Sequence, residues 1–206
     1  MEKVLDVYKR PYNKDFPVIC MDESPKQLIG ETRIINRTKD GSKLIDYEYV
    51  RKGMCNIFIA NEPLAGKRIV KVTDRKTKID WANFIKDISN KYANAKKITL
   101  VMDNLNTHKA GSLYECFSPE EAKRIWDRFE FVYTPKHGSW LNMAEIELNV
   151  LNKQCLNRRI DNVETVIKEV DAWQKHRNNK DTVINWRFTT KESRIKLRRL
   201  YPTIND

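Results

Sequence analysis

Two short apolar runs, each followed directly by an aspartate, most constrain how this chain can fold. Residues 18–21 (Val-Ile-Cys-Met) precede Asp22, and residues 98–102 (Ile-Thr-Leu-Val-Met) precede Asp103. Runs of this length that are rich in Val and Ile indicate buried strands. A carboxylate at the end of a buried strand is costly to desolvate unless a cation meets it. The sequence therefore predicts two acidic strand ends with a shared cationic partner.

A third acid, Glu145, stands near the start of a predicted helix over residues 139–156. Together with Asp22 and Asp103 it predicts a carboxylate cage for Mg²⁺, which prefers oxygen ligands and is commonly shared with phosphate. Each acid also has a structural interpretation. The two aspartates could cap turns, and Glu145 could form a capping box with Asn142 or lie on a solvated helix face.

Two neighbouring acids are rivals for the cage. Glu147 lies two residues beyond Glu145 and therefore about 200° around the helix, so both cannot point at one site. Glu23 follows Asp22 on the same strand and should point to the opposite side of the sheet. We therefore expect both Glu147 and Glu23 to lie outside the cage.

The order of the predicted elements indicates an α/β fold with a mixed sheet. Short connections between the first strands indicate an antiparallel meander, with a turn at residues 51–53. A polar loop is predicted over residues 27–42, with turn signals at Gly30 and at residues 40–41. Asp80 and Ser118 are predicted helix N-caps. The first predicted strand begins after Pro17, and the others cover residues 43–50, 54–60, 67–72, 98–102 and 129–133. The predicted helices cover residues 80–92, 109–117, 119–128, 139–156, 162–177 and 190–201.

The net charge of +11 favours a polyanionic partner, most plausibly nucleic acid, over a merely soluble basic protein. More than half of this charge lies in residues 151–206. Basic side chains there could contact the phosphate backbone of DNA, or form the solvated face of amphipathic helices. The candidates are Arg158, Arg159, Arg187, Lys191, Arg194 and Arg198, together with Lys136 and His137 in the loop before the helix that carries Glu145.

The four cysteines contain no Cys-x-x-Cys pair, which argues against a zinc site and against a disulfide scaffold. No apolar run is long enough to span a bilayer, and no signal peptide is evident near Met1. These features predict a cytoplasmic protein without a membrane partner.

Four stretches of the chain resemble motifs of one enzyme family. Residues 103–108 (Asp-Asn-Leu-Asn-Thr-His) resemble its D-N-x-x-x-H motif, and residues 135–145 resemble its block ending in Leu-Asn-x-x-Glu. Residues 21–24 resemble its first acidic strand, and residues 185–191 a stretch near the end of its catalytic domain. The family is that of the DDE transposases of the mariner superfamily, and in particular the insertion sequence 630 family.

The resemblance implies a ribonuclease H-like mixed sheet flanked by helices. It implies one DDE catalytic domain over residues 1–206, with a lead-in at 1–16 and basic C-terminal helices at 157–206 packed on it. Asp22 would bridge two Mg²⁺ ions, with Mn²⁺ as an alternative, while Asp103 holds one ion and Glu145 the other. His108 would lie near the site, contacting phosphate or a metal-bound water, unless it is simply a satisfied buried histidine. Asn104 would hydrogen-bond a ligand carboxylate, or cap the turn.

The function implied by the resemblance is metal-dependent cleavage of DNA at transposon ends and joining of the 3′-OH to target DNA, typically at TA. The implied partners are transposon ends and target DNA, a second copy of the chain when assembled on DNA, and a separate helix-turn-helix polypeptide. That polypeptide is expected because the first strand begins near Pro17, which leaves no such module before it. The implied location is a prokaryotic cytoplasm, at the nucleoid. The alternatives are an inactive DNA-binding remnant and a ribonuclease H-like nuclease without strand transfer.

Overall fold

The computed structural model describes residues 1–32, 47–136 and 138–201, without the side chain of Leu200. Within these residues the strands form a five-stranded mixed sheet in the order β3-β2-β1-β4-β5, which confirms the predicted α/β class. The strands are β1 (Val18–Glu31), β2 (Tyr49–Glu62), β3 (Lys67–Thr73), β4 (Ile98–Met102) and β5 (Phe129–Tyr133).

The first three strands form the predicted antiparallel meander, and the last two are added in parallel. β4 pairs with residues 18–20 of β1, and β5 pairs with β4 along its whole length. Parallel neighbours need a crossover, and the segments before and after β4 supply one each. The helices are α1 (Glu2–Tyr8), α2 (Lys78–Lys91), α3 (Ala110–Cys116), α4 (Pro119–Trp126), α5 (Met143–Leu151), α6 (Val163–Asn179) and α7 (Thr190–Lys196).

The helix that carries Glu145 is less uniform than its sequence pattern indicates. A 3-10 turn over Ser139–Leu141 precedes α5, and a π-helical turn over Asn152–Leu156 follows it. Asn142 is the N-cap of α5, and its side-chain oxygen accepts a hydrogen bond from the Ala144 N–H. Because the helix begins at Met143, Glu145 lies in its first turn.

The predicted helix caps are partly correct. Ser118 caps α4 with Pro119 in the first turn, as expected. The N-cap of α2 is Thr77 rather than Asp80, which lies at the third helical position and completes a capping box with Thr77.

Hydrophobic layers cover both faces of the sheet, and consecutive residues of β1 point alternately into them. Cys20 belongs to the cluster formed with α1, α5 and α6, whereas Ile19 and Met21 belong to the cluster formed with α2, α3 and α4. This alternation places Asp22 on the α5 face and Glu23 on the α2 face.

Asp22 is not the last residue of its strand, which is a correction to the sequence-based prediction. β1 continues to Glu31 because it stays paired with β2 as far as Tyr49. The parallel pairing with β4, however, ends at Cys20. Asp22 therefore still lies beyond the parallel part of the sheet, as a strand-end acid would.

Two further expectations are wrong. Residues 51–53 form no turn: β2 runs through Gly53, whose φ of +123° accompanies a register shift opposite Leu28 and Ile29. Such a bulge with a left-handed glycine bends a strand without ending it. Gly30 likewise lies within β1 and not in a loop. Of the predicted strand at residues 43–50, the first four residues lie outside the described residues, whereas Tyr49 and Val50 belong to β2. The turn predicted at residues 40–41 lies outside them as well. The last helix, predicted over residues 190–201, ends at Lys196 and is followed by a 3-10 turn over Arg198–Leu200.

The first sixteen residues are more than a polar lead-in. They contain α1, whose Val4, Leu5 and Val7 are fully buried in the α5 layer of the core. Three apolar residues within one short helix are too few to give a readable period, which is why the sequence did not indicate it. No helix in the described part of the chain is long and apolar enough to cross a membrane.

Candidate active site

Asp22 and Asp103 are neighbours because of the register between β1 and β4. Cys20 pairs with Val101 across the two parallel strands, and each aspartate follows its paired residue by two positions. Adjacent strands lie about 4.8 Å apart, so the two acids stand side by side at one edge of the sheet. Glu145 approaches from α5, which covers the face of the sheet that carries Asp22.

The Asp22 carboxyl is a much weaker acid than an ordinary aspartate. Its pKa is raised to about 7, chiefly by burial and further by the negative charges of Glu23, Asp103 and Glu145. A hydrogen bond from the Glu23 N–H to Asp22 Oδ1 (2.8 Å) acts in the opposite direction. Asp103 and Glu145 are therefore near enough to Asp22 for their charges to act on its carboxyl.

Asn142 joins the helix of Glu145 to the strand of Asp22. Its side-chain nitrogen donates a 2.7 Å hydrogen bond to the Met21 carbonyl oxygen and lies 3.4 Å from Asp22 Oδ2. The residue is only 1% exposed. The sequence indicated Asn142 only as a cap; its bond to β1 depends on tertiary packing and leaves no local signal.

The structure separates Glu145 from its rival Glu147. Glu147 is 1% exposed and forms ion pairs with Arg68 (2.7 Å) and Arg177 (2.8 Å), so its charge is neutralised inside the core. Glu145 is half-buried and lies in no ion pair among the described residues. Nor does Glu145 complete a capping box, because Asn142 bonds the Ala144 N–H and α5 lacks the reciprocal bond.

His108 lies behind Asp103 and does not face solvent. It is 1% exposed and stacks on Trp81 with ring centroids 5.5 Å apart. Its Nδ1 lies 2.6 Å from Asp103 Oδ1, but the two atoms are not aligned for a hydrogen bond; the hydrogen-bonding geometry is to the Asp103 main-chain oxygen, at 3.3 Å. Burial alone would lower the pKa of His108, but the two carboxylates of Asp103 and Glu23 outweigh it and raise the pKa to about 9.

Glu23 is the residue that sequence reasoning missed. It does lie on the opposite face from Asp22, as expected, yet its Oε2 lies 3.4 Å from His108 Nε2. Ligand atoms of Glu23, Asp103 and His108 all lie within 4.8 Å of one another. Strand parity alone could not reveal this, because His108 belongs to the segment after β4 and reaches Glu23 only in the folded protein.

An open cavity of about 460 Å³ adjoins Asp103. Asn104 lines this cavity with an exposed side chain, as does Lys136 from the loop before α5. Both can therefore reach a ligand that enters beside Asp103. The remaining lining residues are Leu105, Thr134, Pro135 and Ser139, and His137 lies outside the described residues.

The six predicted DNA-contacting residues beyond position 150 fall into two groups. Three of them form ion pairs with carboxylates of the chain itself: Arg158 with Glu169, Arg159 with Glu31, and Arg194 with Glu2. The others, Arg187, Lys191 and Arg198, are exposed and have no ion-pair partner within the described ranges. The second group is the better placed to contact a phosphate backbone, because its charges are not neutralised internally.

Comparison with known proteins identifies the family and the fold of the chain. A family model described as DDE superfamily endonuclease matches residues 17–167. Comparison with curated proteins gives no match. Among solved structures, the Mos1 mariner paired end complex with Mn is similar, with a TM-score of 0.57, 14% identity, and coverage of 88% of this chain and 56% of that chain.

The catalytic domain of Mos1 mariner transposase is also similar, with a TM-score of 0.53, 12% identity, and coverage of 88% of this chain and 87% of that chain. At such identities the likeness shows the fold, which is the predicted ribonuclease H-like fold. The chain spans little more than half the length of the Mos1 chain in the paired end complex, and its match lies in the catalytic domain.

Proposed function

Because the chain belongs to the DDE superfamily endonuclease family, we propose that it is the catalytic domain of a DNA transposase. It cleaves DNA at transposon ends and joins the freed 3′-OH to target DNA, at a TA dinucleotide. One observation carries the proposal: acids from β1, the end of β4 and α5 lie close enough for Asp103 and Glu145 to raise the pKa of Asp22.

The donor set suits a hard divalent cation. Asp22, Asp103 and Glu145 offer only carboxylate oxygens, which are the ligands that Mg²⁺ and Mn²⁺ take. In the part of the chain that the structure describes, no lysine or arginine pairs with any of the three. Apart from the contact of Asp103 with His108, these partly buried carboxylates have no basic partner among the described residues, and a bound cation would relieve their mutual repulsion.

In this proposal the site would hold two ions, one through Asp22 and Asp103 and the other through Asp22 and Glu145. Such a pair, when bound, neutralises charge on the phosphate and on its entering and leaving oxygens. Asn142 keeps Asp22 and the start of α5 in register through its bond to Met21. Among the described residues we find no nucleophile–base pair at the site, and the proposal requires no covalent protein–DNA intermediate.

The DNA lies, in this proposal, across the edge of the sheet that carries the acids. The cavity beside Asp103 accommodates the nucleotide next to the scissile phosphate, with Lys136 on the phosphate backbone. Arg187, Lys191 and Arg198 extend the contact, giving affinity without sequence information.

The partners follow from the same proposal. We expect two copies of the chain to act on a pair of DNA ends; the similar Mos1 structure is described as a paired end complex. A helix-turn-helix segment, in the same or a separate polypeptide, recognises the ends. The place of action is the DNA of a prokaryotic nucleoid.

Joining of a pre-cut end to a target tests the proposal. A labelled duplex with a free 3′-OH at its pre-cut end is incubated with supercoiled plasmid, Mn²⁺ and the protein, and joined product is measured on a gel. Wild type and Glu115→Gln, which removes an exposed α3 carboxylate paired with Lys78, should both give product. Asp22→Asn should give none. Nicked plasmid without joined product would instead indicate a nuclease, and neither product an inactive DNA-binding protein.

A further inference from the structure

The Glu23 side chain is unusual because it is buried, charged and poorly satisfied. It is 4% exposed, and its Oε2 accepts no aligned hydrogen bond from any described residue. The nearest lysine, Lys76, is half-exposed and lies 3.9 Å from Oε1. A carboxylate in such a place is strongly destabilising unless a nearby group compensates it. The group that faces Oε2 is His108, at 3.4 Å.

His108 is held rigidly between two carboxylates. Its main-chain N–H donates a hydrogen bond to the Leu105 carbonyl oxygen (3.0 Å), and its main-chain carbonyl oxygen accepts one from the Tyr133 hydroxyl (3.2 Å). Trp81 stacks on the imidazole. With its backbone and ring both fixed, the imidazole presents Nδ1 to Asp103 and Nε2 to Glu23.

The contact with His108 gives the two carboxylate oxygens of Asp103 different surroundings. Oδ1 is buried against the imidazole, whereas the side chain as a whole is 29% exposed. Oδ2 is therefore the oxygen left for a ligand. The orientation of this carboxylate depends on where the imidazole stands, since no other side chain of the described residues pairs with Asp103.

Glu23 also touches the second acid of the site. Its N–H donates a 2.8 Å hydrogen bond to Asp22 Oδ1. One residue thus contacts Asp22 through its main chain and Asp103 through the imidazole. Replacing the Glu23 side chain removes only the second connection, which makes the two separable by mutation.

We propose that Glu23 is a positioning residue that holds His108 against Asp103 and so fixes the Asp103 carboxylate for metal binding. The inference rests on the proposed function, because it takes Asp103 as a metal ligand. Groups that orient metal ligands typically change metal affinity or activity 10–100-fold when removed. A role in folding alone would leave the metal affinity of the folded protein unchanged.

Mn²⁺ binding by the full chain, measured by calorimetry and by the electron paramagnetic resonance of free Mn²⁺, tests the proposal. Glu23→Ala should weaken Mn²⁺ binding about 10–100-fold. Glu23→Gln, which keeps a hydrogen-bond acceptor, should retain most of the wild-type affinity for Mn²⁺. Lys76→Gln, which removes the other charged neighbour of Glu23, should bind as wild type does. If Glu23→Ala does not fold by circular dichroism, Glu23→Leu, which fills more of the vacated volume, replaces it.

A double-mutant cycle tests whether Glu23 acts through His108. Adding Glu23→Ala to His108→Ala should cause no further loss of Mn²⁺ affinity, whereas losses that multiply would overturn the proposal. Folded Glu23→Ala and Glu23→Leu that bind Mn²⁺ with wild-type affinity would overturn it as well. If the Glu23 variants bind Mn²⁺ normally and the wild type joins DNA, only the role of Glu23 is wrong and the proposed function stands. A wild type that binds Mn²⁺ but neither cuts nor joins DNA would contradict the function alone.

Discussion

The Asn142 side chain donates a 2.7 Å hydrogen bond to the Met21 carbonyl oxygen, across the boundary between α5 and β1. The same side chain caps α5 through the Ala144 N–H. These two bonds place the first turn of α5, with Glu145, beside the strand segment that carries Asp22. The distance between two of the three acids thus depends on one buried amide.

Asn142→Ala should therefore affect both stability and activity. Loss of the cap and of the buried bond to Met21 should lower the free energy of unfolding by about 1–3 kcal/mol. Asn162→Ala is the matched control, because it removes the N-cap bond of α6 to Thr165 far from the acids. Urea unfolding and DNA nicking measure the two effects. Equal residual activity in the two folded variants would show that Asn142 is only a cap.

Glu145 and Glu147 should give opposite results when each is changed to Gln. Glu147→Gln leaves Arg68 and Arg177 without their buried carboxylate, and breaking such a pair typically costs about 3–5 kcal/mol. Glu145→Gln breaks no ion pair that the structure describes, so it should change stability little while abolishing nicking. Thermal unfolding and nicking assays on both variants check this. An active, stable Glu145→Gln would remove Glu145 from the site.

The contribution of Asp22 to stability in metal-free buffer should fall with rising pH. Its carboxyl has an ordinary value of 3.8 when unfolded and a pKa raised to about 7 when folded, so between pH 4 and 7 the folded state holds the extra proton. That contribution is present at low pH and is lost as the pH rises towards 7, by at most about 1.4 kcal/mol per pH unit.

The difference in free energy of unfolding between wild type and Asp22→Asn isolates this contribution. Urea unfolding from pH 4.5 to 6.5, with a chelator present, should show the difference declining. His108, whose pKa is raised from 6.5 to about 9, adds slope only near the upper end of this window, and it adds it to both proteins, so that it cancels in the difference. Saturating Mn²⁺ should reverse the trend, because the ion binds the deprotonated carboxylate. A difference that is constant with pH would contradict the assigned acidity of Asp22.

Lys136→Ala should weaken DNA binding without affecting metal binding. Lys136 is exposed on the cavity beside Asp103, where a single phosphate contact would contribute about one unit to the salt slope of the binding constant. Fluorescence anisotropy at several salt concentrations should show the smaller slope. Lys123→Ala, on the surface of α4 and paired with Asp127, should leave the slope unchanged. Equal slopes for both variants would place the DNA elsewhere.

The sequence was most informative where strand pattern and chemistry coincide. Asp22 and Asp103 follow apolar runs, and the register of β1 with β4 then brings them together. Glu145 needed the family resemblance, since periodicity alone left Glu147 as a rival. The burial of Glu147 between Arg68 and Arg177 favours Glu145, and it depends on strands and helices far apart in the chain.

Contacts that form only after folding were not predictable. Glu23 was correctly placed on the far face of β1, yet it reaches the site through His108, which lies after a different strand. The bond between Asn142 and Met21 joins residues far apart in sequence and has no local pattern. In both cases a local rule described the residue correctly, while its partner was determined by the packing of the layers.

The rate of Mn²⁺-dependent nicking of supercoiled plasmid tests the central claim most directly. It is measured for wild type, for the site variants Asp22→Asn, Asp103→Asn and Glu145→Gln, and for the surface control Glu115→Gln, all shown to be folded. We expect nicking by wild type and the control, none without metal, and a background rate for each site variant. Wild-type nicking by any folded site variant would contradict a metal site built from these three carboxylates.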